Sequence, residues 1–304
     1  FPLEAGNMTF DRLAAAACTF LFTIGLTVLL PTPQSLAAEE AGDPERGEYV
    51  MRLSGCNSCH TNTKDGGKPM AGGVALKSPY GTFYAPNITP DRETGIGDWS
   101  TEDFIRAMTE GEPPSGLPYY PAFPYPSYAR MEPQDVSDLF AFIKTLPEVE
   151  GDAGEHQLSF PFTMRRGIGL WKLAYMHDEP VVALGADASD AERRGQYLVE
   201  GAGHCGECHT PRDFAGGPKK DLWLAGAPNP EGRGRIPNIT PGGPIASWSQ
   251  ADIAYYLESG FTPEFDSVGG SMVDVQENMA KLPAEDRDAI AAYLKAIPAH
   301  GDGD

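Results

Sequence analysis

The sequence predicts an all-α protein made of two tandem, loop-rich modules. Three observations carry that expectation: a long internal repeat, short helix signatures in each copy, and a high Gly and Pro content. Arg46-Gly47-Glu48-Tyr49 returns as Arg194-Gly195-Gln196-Tyr197, and Pro86-Asn87-Ile88-Thr89-Pro90 returns as Pro237-Asn238-Ile239-Thr240-Pro241. Trp99-Ser100 with Asp103 returns as Trp248-Ser249 with Asp252. Matched positions lie 148–151 residues apart, the mark of a duplicated module. Gly (35) and Pro (28) make up about a fifth of the 304 residues, and hydrophobic residues reach only 41%. That is low for a chain whose core is built from side chains alone.

The first element is a leader, expected over residues 1–38. Arg12 precedes an uncharged run from Leu13 to Leu30, followed by Pro31, Pro33 and the small-ended Ser35-Leu36-Ala37. This reads as a signal peptide cleaved near Ala37 or Ala38. An uncleaved anchor is the alternative, because the run approaches spanning length. Either way the rest of the chain is exported, so the expected location is the periplasm, with possible membrane association through the N-terminal segment. The repeat then sets the first module at 39–150, a bridging linker at 151–184 and the second module at 185–304.

Each module reads as three short helices among irregular loops. Asp43 before Pro44 looks like an N-cap with a first-turn proline, and Ser189 or Asp190 plays that part in the second copy. Ser100 with Asp103, and Ser249 with Asp252, resemble capping boxes whose helices end at Gly111 and Gly260. Val136, Leu139, Phe140 and Ile143, and later Ile290, Tyr293 and Leu294, fall at helical spacing in the last helix of each module. Gly47 and Gly195 on the first helices leave room for Phe142 and Tyr293 on the last.

The chain has 43 Asp and Glu against 23 Lys and Arg, a net charge of −20. This excludes nucleic acid, which needs clustered cations, disfavours an anionic membrane surface, and leaves basic protein patches as partners. Five cysteines are present: Cys18 in the leader, then Cys56 with Cys59 and Cys205 with Cys208. Two Cys-x-x-Cys pairs alone would admit disulfides or zinc. The next residue separates these readings, because His60 and His209 complete Cys56-Asn57-Ser58-Cys59-His60 and Cys205-Gly206-Glu207-Cys208-His209. That is the attachment pattern of c-type haem, in which both thiols add to vinyl groups and the His binds iron. Two covalently bound haem c groups are expected. Their apolar faces would replace much of a side-chain core.

With these motifs in view, the sequence resembles the class I cytochrome c domains found in multihaem subunits of periplasmic alcohol, gluconate and fructose dehydrogenases. The resemblance rests on the segment from Gly81 to Pro90, on Thr94 to Ser100, on Tyr120-Pro121-Ala122-Phe123-Pro124-Tyr125, and on Gly203 to Arg212. It covers nearly the whole mature chain. Two departures stand out: those subunits usually carry three haem domains, and Phe123 stands where many have a ligating Met. The resemblance implies an electron-transfer subunit rather than an enzyme. Its donor would be a periplasmic dehydrogenase and its acceptor a small cytochrome, an oxidase or a quinone-linked complex. The alternative is a dihaem enzyme with one open iron, acting on thiosulfate or peroxide.

The sixth ligands decide between these. Met272, in a Gly-Gly-Ser-Met loop before Leu282-Pro283, matches the place where the family sets its ligand, with Met279 as rival. In the first module Met131 leads Met108, Met70 and Met51, although it also aligns with Leu282 as a hydrophobic staple. The expected metal ligands are His60, Met131, His209 and Met272. His60 and His209 should each donate the other ring nitrogen to a backbone carbonyl that the sequence does not identify. His204 is read as a propionate partner or as solvated, and His156 and His177 as bridge residues, with bis-His ligation of the first haem as the alternative. His300 is placed in a mobile tail. Arg130, Arg165 and Arg166 read as surface residues, Arg212 as a propionate partner, and Tyr119–Tyr128 as a packing wall.

Overall fold

Asp43 caps helix α1 (Pro44–Leu53), its carboxylate accepting the Glu45 N–H, with Pro44 in the first turn. In this computed structural model, which describes residues 41–301 apart from Glu231 and Arg233, the expected leader over 1–38 lies outside the described residues. Gly55, at φ 60°, turns the chain into α2 (Cys56–His60). Helices α3 (Thr101–Glu110), α4 (Tyr125–Tyr128) and α5 (Pro133–Ile143) follow. The Ser100–Asp103 capping box is made in both directions, and Gly111 ends α3 in the left-handed conformation.

The second half repeats this order. Ser189 and Glu192 form a capping box on α7 (Asp190–Glu200), which leads to α8 (Gly206–His209). The helices α9 (Gln250–Ser259), α10 (Met272–Met279) and α11 (Ala284–Ala296) complete the chain, with Ser249–Asp252 capping α9 and Gly260 ending it. Between the halves, the bridge holds a short strand, one 3-10 turn and α6 (Ile168–Tyr175).

The fold is therefore not purely α. Strands β1 (Ala75–Ser78), β2 (Gly81–Tyr84) and β3 (Gln157–Leu158) form one antiparallel sheet, and β4 (Ala227–Pro228) pairs with β5 (Arg235–Ile236). Each strand is short, and all but β3 contain or adjoin Pro or Gly, so the local pattern reads as loop. The third strand of the larger sheet comes from the bridge, with Gly81 opposite Leu158 and Thr82 opposite Gln157. Gly81 is required there: a Cβ would sit 2.2 Å from the Gln157 carbonyl oxygen.

The core forms around two equivalent helix pairs. A Cβ on Gly47 would lie 1.9 Å from the Asp138 carbonyl oxygen and 2.7 Å from Phe142 Cβ. A Cβ on Gly195 would meet Ala289 and Tyr293 at the same two distances. Ion pairs repeat as well: Arg46 with Asp138 at 2.6 Å and Arg194 with Asp286 at 2.8 Å.

The halves are stitched together crosswise. Tyr49 on α1 donates to Asp286 on α11 at 2.6 Å, and Tyr197 on α7 donates to Asp135 on α5 at 2.5 Å. Buried Glu200 accepts from the Val181 and Val182 N–H groups of the bridge, from Gln196 and from the Tyr293 hydroxyl. Apolar residues of both halves then form one continuous cluster, from Val50 and Leu139 to Leu198 and Leu294.

Candidate haem sites

Helix α2 holds all five residues of the first Cys-x-x-Cys-His motif and α8 the last four of the second, with Cys205 as its N-cap, and the His is the last residue of each. A single helical turn sets both thiols on one side and carries the imidazole with them. The second ring nitrogen is accounted for in both copies: His60 Nδ1 lies 2.8 Å from the Pro86 carbonyl oxygen, and His209 Nδ1 lies 2.8 Å from that of Pro237. A carbonyl only accepts, so Nδ1 carries the proton and donates it. That leaves the Nε2 lone pair available to a metal. Burial holds both imidazoles below the ordinary histidine value, with the proline carbonyl opposing it. That direction favours the neutral ring that ligation requires.

The carbonyls belong to the repeated Pro-Asn-Ile-Thr-Pro segment, and the structure shows why that segment recurs. Asn87 Oδ1 accepts the Thr89 N–H at 2.9 Å, and Asn238 Oδ1 accepts the Thr240 N–H at 2.8 Å. The same amides donate to the chain after each last helix, Asn87 to the Val149 carbonyl and Asn238 to that of His300. Buried Asn thus closes a local turn and clamps it to the far end of the module, aiming the preceding proline carbonyl at the His. The expected mobile tail at His300 is corrected by this contact, since its N–H also donates to Thr240 Oγ1 at 3.0 Å.

Burial pushes the Cys56 thiol up to about 12, helped by Cys59, and the Cys205 thiol up to about 12, helped by Cys208. Among the described residues no disulfide joins the four cysteines, and no cluster of three or more His, Cys, Asp or Glu could hold a metal ion. The disulfide and zinc readings therefore find no support. Two thiols one turn apart beside a neutral imidazole are the donor set of haem c.

Comparison with known proteins agrees with that donor set. The sequence model of the cytochrome c family matches residues 44–147. Over 277 residues the chain is 50% identical to a dihaem cytochrome c-type protein of Cereibacter sphaeroides, covering 90% of this chain and 92% of that one. This chain belongs to the dihaem c-type cytochromes. Such a cytochrome carries covalent haem c and transports electrons. The chain is also 38% identical to the fructose dehydrogenase cytochrome subunit of Gluconobacter japonicus, over 94% of this chain and 59% of that protein. Identity is 35% to the gluconate 2-dehydrogenase cytochrome c subunit of Pantoea cypripedii, over 87% and 62%. The cytochrome thus spans about three fifths of these two longer relatives.

Met131 is buried directly before α5, its N–H donating to the Tyr128 carbonyl at 2.9 Å. Its Cγ lies 3.7 Å from where a Cβ on Gly201 would sit, so it packs at the junction of the halves. Met272 is half-buried and opens α10 instead of lying in a loop. Its rival Met279 is buried, as are Met108 and Met70. Met131 belongs to the central apolar cluster, and Met272, Cys56 and Cys205 pack against it. Phe123 packs among the rings of Tyr119, Tyr125 and Tyr128, in keeping with a packing wall.

The histidines and arginines around the sites have definite partners. His204 is not solvated: its Nε2 lies 3.1 Å from the Ser54 carbonyl oxygen, and its ring packs edge-on against Tyr128. The residue before one attachment motif thereby touches the turn before the other. Ser127 adds a second tie, donating to Glu207 inside the second motif at 2.8 Å. Arg130 is largely buried and donates to the Pro126 and Glu179 carbonyls, which corrects its reading as a surface residue. Arg165 donates to the Pro118 carbonyl, and Arg212 to the Gly216 carbonyl and the Glu207 carboxylate. His156 Nδ1 accepts the Tyr84 N–H at 3.2 Å.

Proposed function

We propose that the cytochrome binds one haem c through Cys56, Cys59 and His60 and the other through Cys205, Cys208 and His209, with Met131 and Met272 as sixth ligands. Residues 39–150 and 185–304 act as tandem class I domains joined by 151–184. The protein serves as a periplasmic electron carrier, or as the electron-transfer subunit of a dehydrogenase complex. A periplasmic dehydrogenase is its donor, and a small cytochrome, an oxidase or a quinone-linked complex its acceptor. The observation that carries the reading is the pair of His Nδ1–proline carbonyl contacts, made at the same distance in both halves.

The haem iron, when bound, supplies reversible one-electron oxidation and reduction. The chain's own residues set how easily that happens. The proline carbonyls fix the imidazole tautomer and raise the basicity of Nε2, which favours the oxidised metal. A thioether from Met131 or Met272 favours the reduced metal and closes the position to exogenous ligands. The His204–Ser54 contact supports exchange within the molecule, because it brings the turns before the two motifs within hydrogen-bond distance. The names of the relatives support the dehydrogenase donor, and the acidic surface suits a partner with a basic docking face.

Optical and ferric near-infrared spectra of the holoprotein test this reading, with carbon monoxide added after reduction. Two low-spin haems that do not bind carbon monoxide are expected. Met131→Ala and Met272→Ala should each open half of the haem to it. Prompt carbon monoxide binding by the parent would remove Met131 from the ligand set and favour the dihaem enzyme.

A further inference from the structure

Helix α6 is apolar on both sides, and only one side is covered. Ile168, Trp171 and Tyr175 face the protein: Ile168 is buried, the Trp171 indole N–H donates to the Ala215 carbonyl at 3.0 Å, and the Tyr175 hydroxyl donates to Asp213 at 2.7 Å. The other side presents Leu170 and Leu173, 75% and 82% exposed, one turn apart. Phe160 and Met164, just before the helix, are 80% and 58% exposed. Phe214, at 92%, sits in the turn that Trp171 holds against α6. These five are most of the large exposed hydrophobic residues among those described. A helix apolar all round is normally buried, and a cluster of this kind marks an interaction site.

Charge indicates what covers it. From Gln157 to His177 the sequence has Arg165, Arg166 and Lys172 and no Asp or Glu, in a chain of net charge −20. Lys172 is neutralised by Glu112 at 2.5 Å. Arg165 is half-buried, donates to the Pro118 and Leu117 carbonyls and lies over the Tyr119 and Tyr120 rings, whereas Arg166 is exposed; neither has a carboxylate partner among the described residues. The segment therefore combines protruding Leu, Phe and Met side chains with the exposed Arg166 guanidinium, which no carboxylate neutralises among the described residues. That is the composition of a helix lying in a lipid interface: acyl chains close around protruding side chains of any shape, and guanidinium groups meet anionic headgroups.

We infer that the α6 face is a peripheral membrane-docking site for an anionic lipid surface. It holds the cytochrome against the bilayer by its bridging segment, apart from anything residues 1–38 contribute. The inference does not depend on the sixth-ligand assignment.

Co-sedimentation of the holoprotein with vesicles tests it, using phosphatidylglycerol and phosphatidylcholine in equal parts against phosphatidylcholine alone. The parent should partition to the anionic vesicles about fivefold better, as one exposed unpaired cation implies. Leu170→Gln with Leu173→Gln should lower that partition by about tenfold or more, as loss of two inserted side chains requires. Arg166→Glu should lower it on anionic vesicles only, and Phe265→Ser, at an exposed site elsewhere, should leave it unchanged. Haem absorbance and the thermal midpoint of each variant establish that the fold is intact. The inference is overturned if the parent binds neither vesicle, or if the double variant binds as the parent does. It is equally overturned if the parent is a dimer that the double variant dissolves, since a second copy then covers the face.

Discussion

At the scale of single residues, the strictest demand falls on Gly47 and Gly195. A Cβ at either position would lie 1.9 Å from a backbone carbonyl oxygen, closer than any side-chain adjustment can relieve. Gly195→Ala must push α7 away from α11 and disturb the packing of Tyr293. A loss of about 3 kcal/mol is expected from such overpacking, read as a fall in the denaturant midpoint at unchanged slope. The Asp138 carboxylate, which holds the first helix pair, adds a pH dependence. Burial alone would raise the Asp138 carboxyl, but the Arg46 guanidinium, the Asp43 N–H and the Gln134 amide outweigh it and hold it below the usual range. A group depressed in the folded state contributes stability that is present above its unfolded value of about 4 and is lost as pH falls through its folded value. Denaturant midpoints should therefore stay level from neutrality to about pH 5 and drop below about pH 4. Asp138→Asn should lower the neutral value and flatten the acid drop.

At the scale of elements, the Pro-Asn-Ile-Thr-Pro loop does for each His what no residue of α2 or α8 can do. Its asparagine bonds within the loop and to the chain beyond the last helix, so one buried amide sets the position of the Pro86 or Pro237 carbonyl. Asn238→Ala should cost about 2 kcal/mol, because partners inside the protein lose their bonds. It should also shift the reduction potential of one haem and leave the other in place, measured by spectroelectrochemical titration. A purely structural role for Asn238 would lower stability without selecting one potential. The repeated motif was legible in the sequence, but its purpose was not, because the acceptor atom is a backbone carbonyl 26 or 28 positions from the His. No side-chain pattern records such a bond. The small sheets were hidden for a similar reason: β3 joins β2 across more than seventy residues, and its two-residue length carries no period.

At the scale of the whole molecule, the two halves share one apolar cluster and are tied by Tyr49–Asp286, Tyr197–Asp135, His204–Ser54 and Ser127–Glu207. Thermal unfolding followed by haem absorbance and by far-ultraviolet circular dichroism should give one coincident transition. Tyr49→Phe combined with Tyr197→Phe should lower its midpoint. Two separated transitions in the parent would show that the shared core does not couple the halves. Reduction by a basic redox partner should slow as salt rises, since a surface of net charge −20 steers by long-range attraction that ions screen. The sequence by itself determined the haem class, the internal repeat and most helix ends, and it supplied the two histidines proposed as proximal ligands, because covalent motifs, caps and glycine contacts are local and act through residue type. Only the tertiary structure decided which carbonyl holds each His, that the turns before the two attachment motifs touch, that Arg130 and His204 are internal ties, and that one face of α6 is left bare. Those facts depend on backbone atoms and on burial, which are settled only when distant segments pack.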